Sequence, residues 1–241
     1  MKPPPFEYHA PASVAEAVEL LAAPEDAKVL AGGQSLLPLL NFRLARPAHL
    51  LDINRVAGLD RVYERDGGIA VGATVRQADA SGHQLLEAAL RLVAHPVIRN
   101  RGTVVGSIVH ADPAAELPAT LLALGGHLVV RSARGERRIA AEELFTGPMQ
   151  SALEPDELAL EAWFPHLDGA IAEEVRRHGD FAMAGAVRAG DRLALFGVST
   201  RPVLVDPADP TRGLNPSDDP ECSPAFRLHL ARALAARVMV A

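Results

Sequence analysis

The residues most able to do chemistry lie in two glycine-bearing segments, Ala31-Gly32-Gly33-Gln34-Ser35 and Gly102-Thr103-Val104-Val105-Gly106-Ser107. Each sits between an apolar run and a helix-like stretch. Glycine has no Cβ, so it reaches positive φ without strain and lets a ligand approach the main chain. Successive free N–H groups backed by a helix N-terminus then attract anionic oxygens. Two such segments point to a dinucleotide whose phosphates are shared between two loops. In the first, Val29-Leu30-Ala31 reads as a short buried strand, and Ser35 opens the apolar stretch from Leu36 to Leu44, with Pro38 tolerable in a first turn. The second runs on into Asp112-Pro113-Ala114-Ala115-Glu116, where Asp112 and Pro113 read as the N-cap and first residue of another helix. Glu116, one turn further in, could accept hydrogen bonds from ligand hydroxyls.

Other chemistries are excluded by what the chain lacks. No two glycines stand two residues apart, which removes the G-x-G-x-x-G fingerprint, and there is no Gly-Lys pair for a Walker A loop. No H-x-x-x-H pair suggests a zinc-binding helix, and no G-x-S-x-G elbow suggests a hydrolase. Cys222 is the single cysteine, whereas an iron–sulfur cluster takes several thiolates, so this chain cannot hold one by itself. It lies in the polar, proline-rich stretch 206 to 224 and reads as an incidental thiol. Among the nine histidines, His83, His95 and His127 read as element boundaries, while His110 and His178 border the motifs. A net charge of −6 argues against a nucleic-acid surface. Every long apolar stretch is interrupted by charge or proline, and the start Met-Lys-Pro-Pro-Pro lacks the apolar region of a secretory signal, so a cytoplasmic protein without a membrane span is expected.

The elements that must position the two loops read as alternating helix and strand. Ser13 and Glu16 have capping-box spacing ahead of a helix with Val14, Ala17, Val18 and Leu21 on one face, ending near Pro24. Leu50 to Ile53 is a strand. Arg61 to Glu64 and Ile69 to Gly72 flank an Asp66-Gly67-Gly68 turn, a hairpin signal. Leu86, Ala89, Leu90 and Val93 mark a helix stopped by Pro96, and a hairpin from His127 to Ile139 turns at Gly135. Leu158 to Phe164 is a strand. Ala182 to Val187 and Leu193 to Val198 bracket a further hairpin at Ala189-Gly190-Asp191, and Ser223-Pro224 starts a last helix with Phe226, Leu230, Ala233 and Leu234 on its buried face.

Several motifs, in order, resemble one family. Phe6-Glu7-Tyr8, Ser13-Val14-Ala15-Glu16-Ala17, the two glycine loops, Leu50-Leu51-Asp52-Ile53 and Arg176-Arg177-His178-Gly179-Asp180-Phe181-Ala182 are similar to those of the FAD-binding medium subunit of molybdenum hydroxylases, the family of carbon monoxide dehydrogenase flavoproteins and of the flavin domain of xanthine dehydrogenases. The resemblance implies that the first loop, Ala31, Gly32, Gly33, Gln34, Ser35 and Leu36, and the second, Thr103, Val104, Val105, Gly106 and Ser107, hold an FAD pyrophosphate. It puts Asp112 in the family's D-P pair, Glu116 against the ribityl or ribose hydroxyls, and Phe181 near the flavin ring. Val105 departs from the pattern, which usually has glycine there.

The implied fold is α+β: a two-subdomain PCMH-type FAD-binding unit, residues 1–55 and 56–165, followed by a small C-terminal α+β domain over 166–241 that is short for the family. The implied function is an oxidoreductase subunit with no catalytic side chain of its own and no metal. Its noncovalent FAD would take electrons from an iron–sulfur small subunit carrying 2Fe-2S clusters, fed by a large subunit with the molybdenum cofactor, in a dimer of heterotrimers. Two other readings stay open at this level: a self-sufficient flavin oxidoreductase of the same wider fold, and a flavin-free assembly subunit.

Overall fold

The computed structural model describes residues 1–23, 26–220 and 222–241. Pro24, the expected stop of the first helix, lies outside the described residues.

The first sheet is parallel and carries the first glycine loop. Its strands are β1 (Glu7–His9), β2 (Ala27–Leu30) and β3 (His49–Asp52), in the order β1-β3-β2. Parallel neighbours need crossovers, supplied by α1 (Val14–Ala22) and by α2 (Leu36–Asn41). Ser13 caps α1 as expected: its hydroxyl accepts the Glu16 N–H at 3.2 Å, while the Glu16 carboxylate accepts the Ala12 N–H at 2.9 Å. Ala17, Val18 and Leu21 are buried on the inner face of α1.

The second sheet is antiparallel, of five strands ordered β4-β5-β10-β6-β7. β4 (Val62–Arg65) and β5 (Gly68–Gly72) form the first expected hairpin. Asp66 and Gly67 both have positive φ, the conformation of a two-residue turn that matches strand twist. α3 (Gln84–Leu92), α4 (Pro96–Arg99), α5 (Val104–His110) and α6 (Glu116–Leu124) then cross the sheet before β6 (His127–Ser132) and β7 (Gly135–Ala140). The short pieces α7 (Ala141–Leu144), β8 (Phe145–Gly147) and β9 (Gln150–Ser151) lead to β10 (Leu158–Pro165), which runs between β5 and β6. His83 and His95 occupy the N-cap positions of α3 and α4, and His127 opens β6, as the sequence suggests. Every residue of α6 is buried, the mark of a helix enclosed on all sides.

The third sheet is antiparallel too: β11 (Gly169–Val175), β12 (Ala182–Ala189), β13 (Arg192–Phe196) and β14 (Val203–Val205), in that order, with α8 (Pro224–Met239) against it. It divides two cores. Ile171 and Val175 pack against the large cluster that contains α6, whereas Ala170 and Ala172 face the cluster of α8. The expected face of α8 needs correction: Arg227, Ala231, Leu234, Ala235 and Val238 are buried, while Phe226 and Ala233 are exposed. Leu234 belongs to both readings, and Leu230 of the expected face is partly buried against the same core. The shift follows from Arg227, whose guanidinium goes inward to the carbonyls of Met183 and Gly197 and to Asp219, turning the helix about its axis.

Gly185 on β12 lies under the ring of the fully buried Phe196, where an added Cβ would fall 2.0 Å from Cζ. Gly185→Ala is expected to cost about 1–3 kcal/mol by overpacking. Chemical denaturation measures this, and an unchanged midpoint would contradict the packing.

Candidate cofactor site

The first glycine loop follows β2 directly and ends in α2. Gly33 has φ +75°, a turn that a residue without Cβ takes without strain. Among the described residues, the N–H groups of Gly32, Gly33, Gln34, Ser35 and Leu36 donate to no protein acceptor. The helix continues the pattern, because the first bond back into the loop is Leu37 N–H to Gly33 O at 3.0 Å. Ser35 makes no side-chain cap, so its hydroxyl is also free of α2. Five adjacent donors without a protein partner at a partly exposed helix entry are a combination suited to anionic oxygens.

At Gly32 the second loop comes into close backbone contact with the first. A Cβ on Gly32 would fall 2.4 Å from Arg101 O, 2.7 Å from Gly102 Cα and 2.9 Å from Thr103 N. Polar side chains brace the junction from outside. Asn54 donates to Ala31 O at 2.8 Å, Arg76 donates to Asn54 Oδ1 at 2.6 Å and to Arg101 O at 2.7 Å, and the Gln77 N–H donates to Gly102 O at 2.8 Å. Asp52 orients Asn54 by accepting its side-chain and backbone N–H, and in turn accepts the Tyr8 hydroxyl. Partial burial and the nearby Arg101 charge hold the Arg76 guanidinium below its usual pKa. The Arg76 guanidinium thus stands at the loop junction, through its bonds to Asn54 and to Arg101 O.

The second segment is less of a loop than its sequence suggests. Thr103 is the N-cap of α5, so Val104 to Ser107 form that helix's first turn. The Val104 amide goes to Val75 O, that of Gly106 to the Thr103 hydroxyl at 3.1 Å, and that of Ser107 to Thr103 O. Only the Val105 amide among these four has no protein acceptor among the described residues. The Val105 side chain is 2 % exposed and sits in the core, away from the concavity, and its φ is negative. The valine therefore does not block the approach that the missing glycine brings into question.

Asp112 and Pro113 also need correction. They do not start a helix: Asp112 Oδ1 accepts the Ala114 N–H at 2.8 Å and its carbonyl accepts that of Ala115, closing a turn, while Ala115 is the N-cap of α6. Five residues, Ala111 to Ala115, separate α5 from α6, and the left-handed conformation of Ala111 ends α5. Glu116 is consequently the first residue of α6 rather than a turn inside it. It is 8 % exposed, and burial, followed by the Asp112 charge, pushes its carboxyl up to about 7. Phe181 lies just before β12, 72 % exposed, after a Gly179 whose missing Cβ makes room for the His95 ring.

A model of the FAD binding domain in molybdopterin dehydrogenase matches residues 4–167. The chain belongs to this family. It is 48 % identical over 198 residues to the 6-hydroxypseudooxynicotine dehydrogenase complex subunit alpha of Paenarthrobacter nicotinovorans, covering 77 % of this chain and 67 % of that one. It is 40 % identical over 197 residues to the carbon monoxide dehydrogenase medium chain of Hydrogenophaga pseudoflava, covering 77 % and 69 %. A solved structure of carbon monoxide dehydrogenase from the same organism, lacking the Mo-pyranopterin moiety of its cofactor, superposes with a TM-score of 0.93 at 32 % identity over 100 % of this chain and 98 % of the other. The resemblance read from the motifs is correct, and so is the α+β fold it implied.

The residues present suit the family's dinucleotide. A pyrophosphate calls for N–H donors and positive charge, offered by the amides of Gly32 to Leu36 and by Arg76 at the junction; hydroxyls call for an acceptor, offered by Glu116. Sequence reading of this FAD-binding domain missed the braces Asn54 and Arg76, whose role appears only when strands far apart in sequence are paired. It also missed Glu173. This residue lies on β11 between Ile171 and Val175, on the face turned toward the large core, and its Oε2 is buried without a hydrogen-bond partner. Burial, then the neighbouring Glu116 charge, pushes its carboxyl up to about 8.

Two carboxyls raised in this way make stability fall with rising pH. Above about 4.5 an exposed glutamate ionises, so the unfolded chain sheds protons that folded Glu116 and Glu173 keep up to about 7 and about 8. The flavin-free chain should therefore lose thermal stability steadily from pH 4.5 upward through this window, and Glu116→Gln should flatten the profile below pH 7. Melting temperatures across that range decide it: an equally steep profile in the variant would show that Glu116 ionises normally.

Proposed function

We propose that this chain is the FAD-binding electron-transfer subunit of a molybdenum-containing hydroxylase or dehydrogenase, working in the cytoplasm. The observation that carries the reading is the row of five unpaired amides of Gly32 to Leu36, held against the second loop with Arg76 bonded across the junction. In this assignment the amides of Gly32 to Leu36 and that of Val105, with the Ser35 and Ser107 hydroxyls, hold the pyrophosphate, Glu116 accepts from the ribityl or ribose hydroxyls, and Phe181 lies beside the flavin ring. Residues 1–55 and 56–165 would form the two flavin-binding subdomains, and 166–241 the C-terminal domain.

Bound FAD supplies one- and two-electron chemistry. The chain's own residues bind and orient it: no side chain here is required as acid, base or nucleophile. With one cysteine in the chain, the electron donor is another protein, an iron–sulfur subunit carrying 2Fe-2S clusters. A large subunit with the molybdenum cofactor completes the unit, as a dimer of heterotrimers. The substrate is bound on that large chain. In support, the relatives named above are a medium chain and a complex subunit.

Three outcomes test this. Acid precipitation should release all the flavin into the supernatant, since binding rests on backbone contacts; colour left in the pellet would establish a covalent link. In titrations of flavin-free chain with FAD, Gly33→Val should weaken binding by about 2 kcal/mol or more, roughly thirtyfold, because a branched residue is strained at φ +75° and displaces the neighbouring amides. Glu116→Ala should cost about 1–3 kcal/mol, the scale of a hydrogen bond to a charged or buried group. Purification of the tagged chain from its native host should bring down two further chains with iron and molybdenum. Recovery of the chain alone, with its flavin reduced directly by a small substrate at a useful rate, would instead establish a self-sufficient oxidoreductase.

A further inference from the structure

Glu7 and His9 stand two residues apart on β1, so their side chains leave one face of the first sheet. His49 lies opposite Glu7 in the parallel register of β1 and β3, and residues paired across adjacent strands share a face. The three side chains therefore converge. His9 Nε2 is 3.1 Å from His49 Nδ1, Glu7 Oε2 is 3.6 Å from the same nitrogen, and the donor atoms of all three lie within 4.8 Å of one another. The two rings are inclined by only 28° with centroids 5.3 Å apart, an offset stack that keeps the two nitrogens close. The cofactor reading uses none of these groups. The glycine loop leaves the far end of β2, beyond Leu30, while His49 pairs with Ala27 at its start, a separation of about 10 Å along the strand.

We propose that Glu7, His9 and His49 form a zinc-class divalent metal site that clamps β1 onto β3, with water completing the coordination. In tetrahedral zinc with bonds of about 2.0–2.1 Å, neighbouring donors lie about 3.3–3.4 Å apart. Two of the three donor pairs, at 3.1 and 3.6 Å, bracket that spacing, and the third lies within 4.8 Å, so side-chain rotation brings all three to it. Two imidazoles and one carboxylate are donors that zinc accepts readily, whereas calcium and magnesium require more oxygens. The place in the fold gives the clamp its purpose. β1 has three residues, lies at the sheet edge and pairs with β3 alone among the described residues. On its other face the Tyr8 hydroxyl donates to Asp52 at 2.6 Å, the same Asp52 that orients Asn54 against the first loop. A metal on the opposite face would fix β1 from both sides.

The test uses the full chain with its flavin as purified, cleared with a chelator and dialysed against zinc sulfate, the bound zinc being counted. One zinc per chain with micromolar or tighter affinity is expected, and zinc-edge X-ray absorption should show two imidazoles and oxygen ligands at about 2.0–2.1 Å with no sulfur. His9→Gln and His49→Gln should each weaken zinc binding by at least about tenfold, while His229→Gln, exposed on α8, leaves it unchanged. Saturating zinc should raise the melting temperature by about 5 °C or more in the native chain and not in the two variants. An intact flavin spectrum certifies the fold of each variant; should one fail to fold, Glu7→Gln replaces it with the same tenfold loss expected. Absence of zinc at micromolar concentrations, or stoichiometric zinc that survives the substitutions, overturns the site.

Discussion

The arrangement depends on one close approach, the packing of Gly32 against the backbone of Arg101, Gly102 and Thr103. A single methyl group at position 32 would fall inside the van der Waals radius of all three. This contact joins two sheets of different construction, a parallel one that delivers the first loop and an antiparallel one whose crossing helices deliver the second. It also explains why the polar braces lie outside it. Arg76 and Asn54 are long enough to reach Ala31 and Arg101 from the side, so the joint is held without any side chain entering the gap.

Electrostatics then divide the cleft. At the loop junction lie unpaired amides and the Arg76 guanidinium, an environment suited to anionic oxygens. At the entry to α6 lie Glu116 and, from the third sheet, Glu173, acids that burial keeps protonated to about 7 and about 8. A charge on Glu116 would repel one on Glu173, and burial makes retention of protons the cheaper state. Glu173 shows that the third sheet contributes to this region: it is placed by strand alternation between two core residues, so an apolar side chain would be expected there on packing grounds alone.

How much of this could be read from sequence varies with the range of the interaction responsible. Local signals were legible. The Ser13 cap, the Asp66-Gly67 turn and the three boundary histidines follow from short-range backbone chemistry, and the glycine motifs led to the right family. Misreadings arose where tertiary contacts overrode local rules. Asp-Pro looks like a helix start, yet the left-handed Ala111 spends those residues on a turn and moves the start to Glu116. The face of α8 was misjudged because a buried arginine, rather than Phe226, is its anchor. β11 and β14 escaped notice because Gly169 to Val175 and Val203 to Val205 lack a clear alternation of polar and apolar residues. Asn54, Arg76 and Glu173 carry no motif at all, since each acquires its role from a partner distant in the chain.

The cradle assigned to the first loop is tested most directly by residue-resolved amide hydrogen exchange on the flavin-free and FAD-loaded chain. Unpaired amides exchange fast and slow down on gaining an acceptor. The N–H groups of Gly32, Gly33, Gln34, Ser35 and Leu36, together with that of Val105, should become protected on FAD binding, while Val104 and Gly106, already bonded to Val75 and Thr103, change little. If FAD binds and Gly32 to Leu36 continue to exchange as freely as before, the phosphates lie elsewhere and the site is wrongly placed.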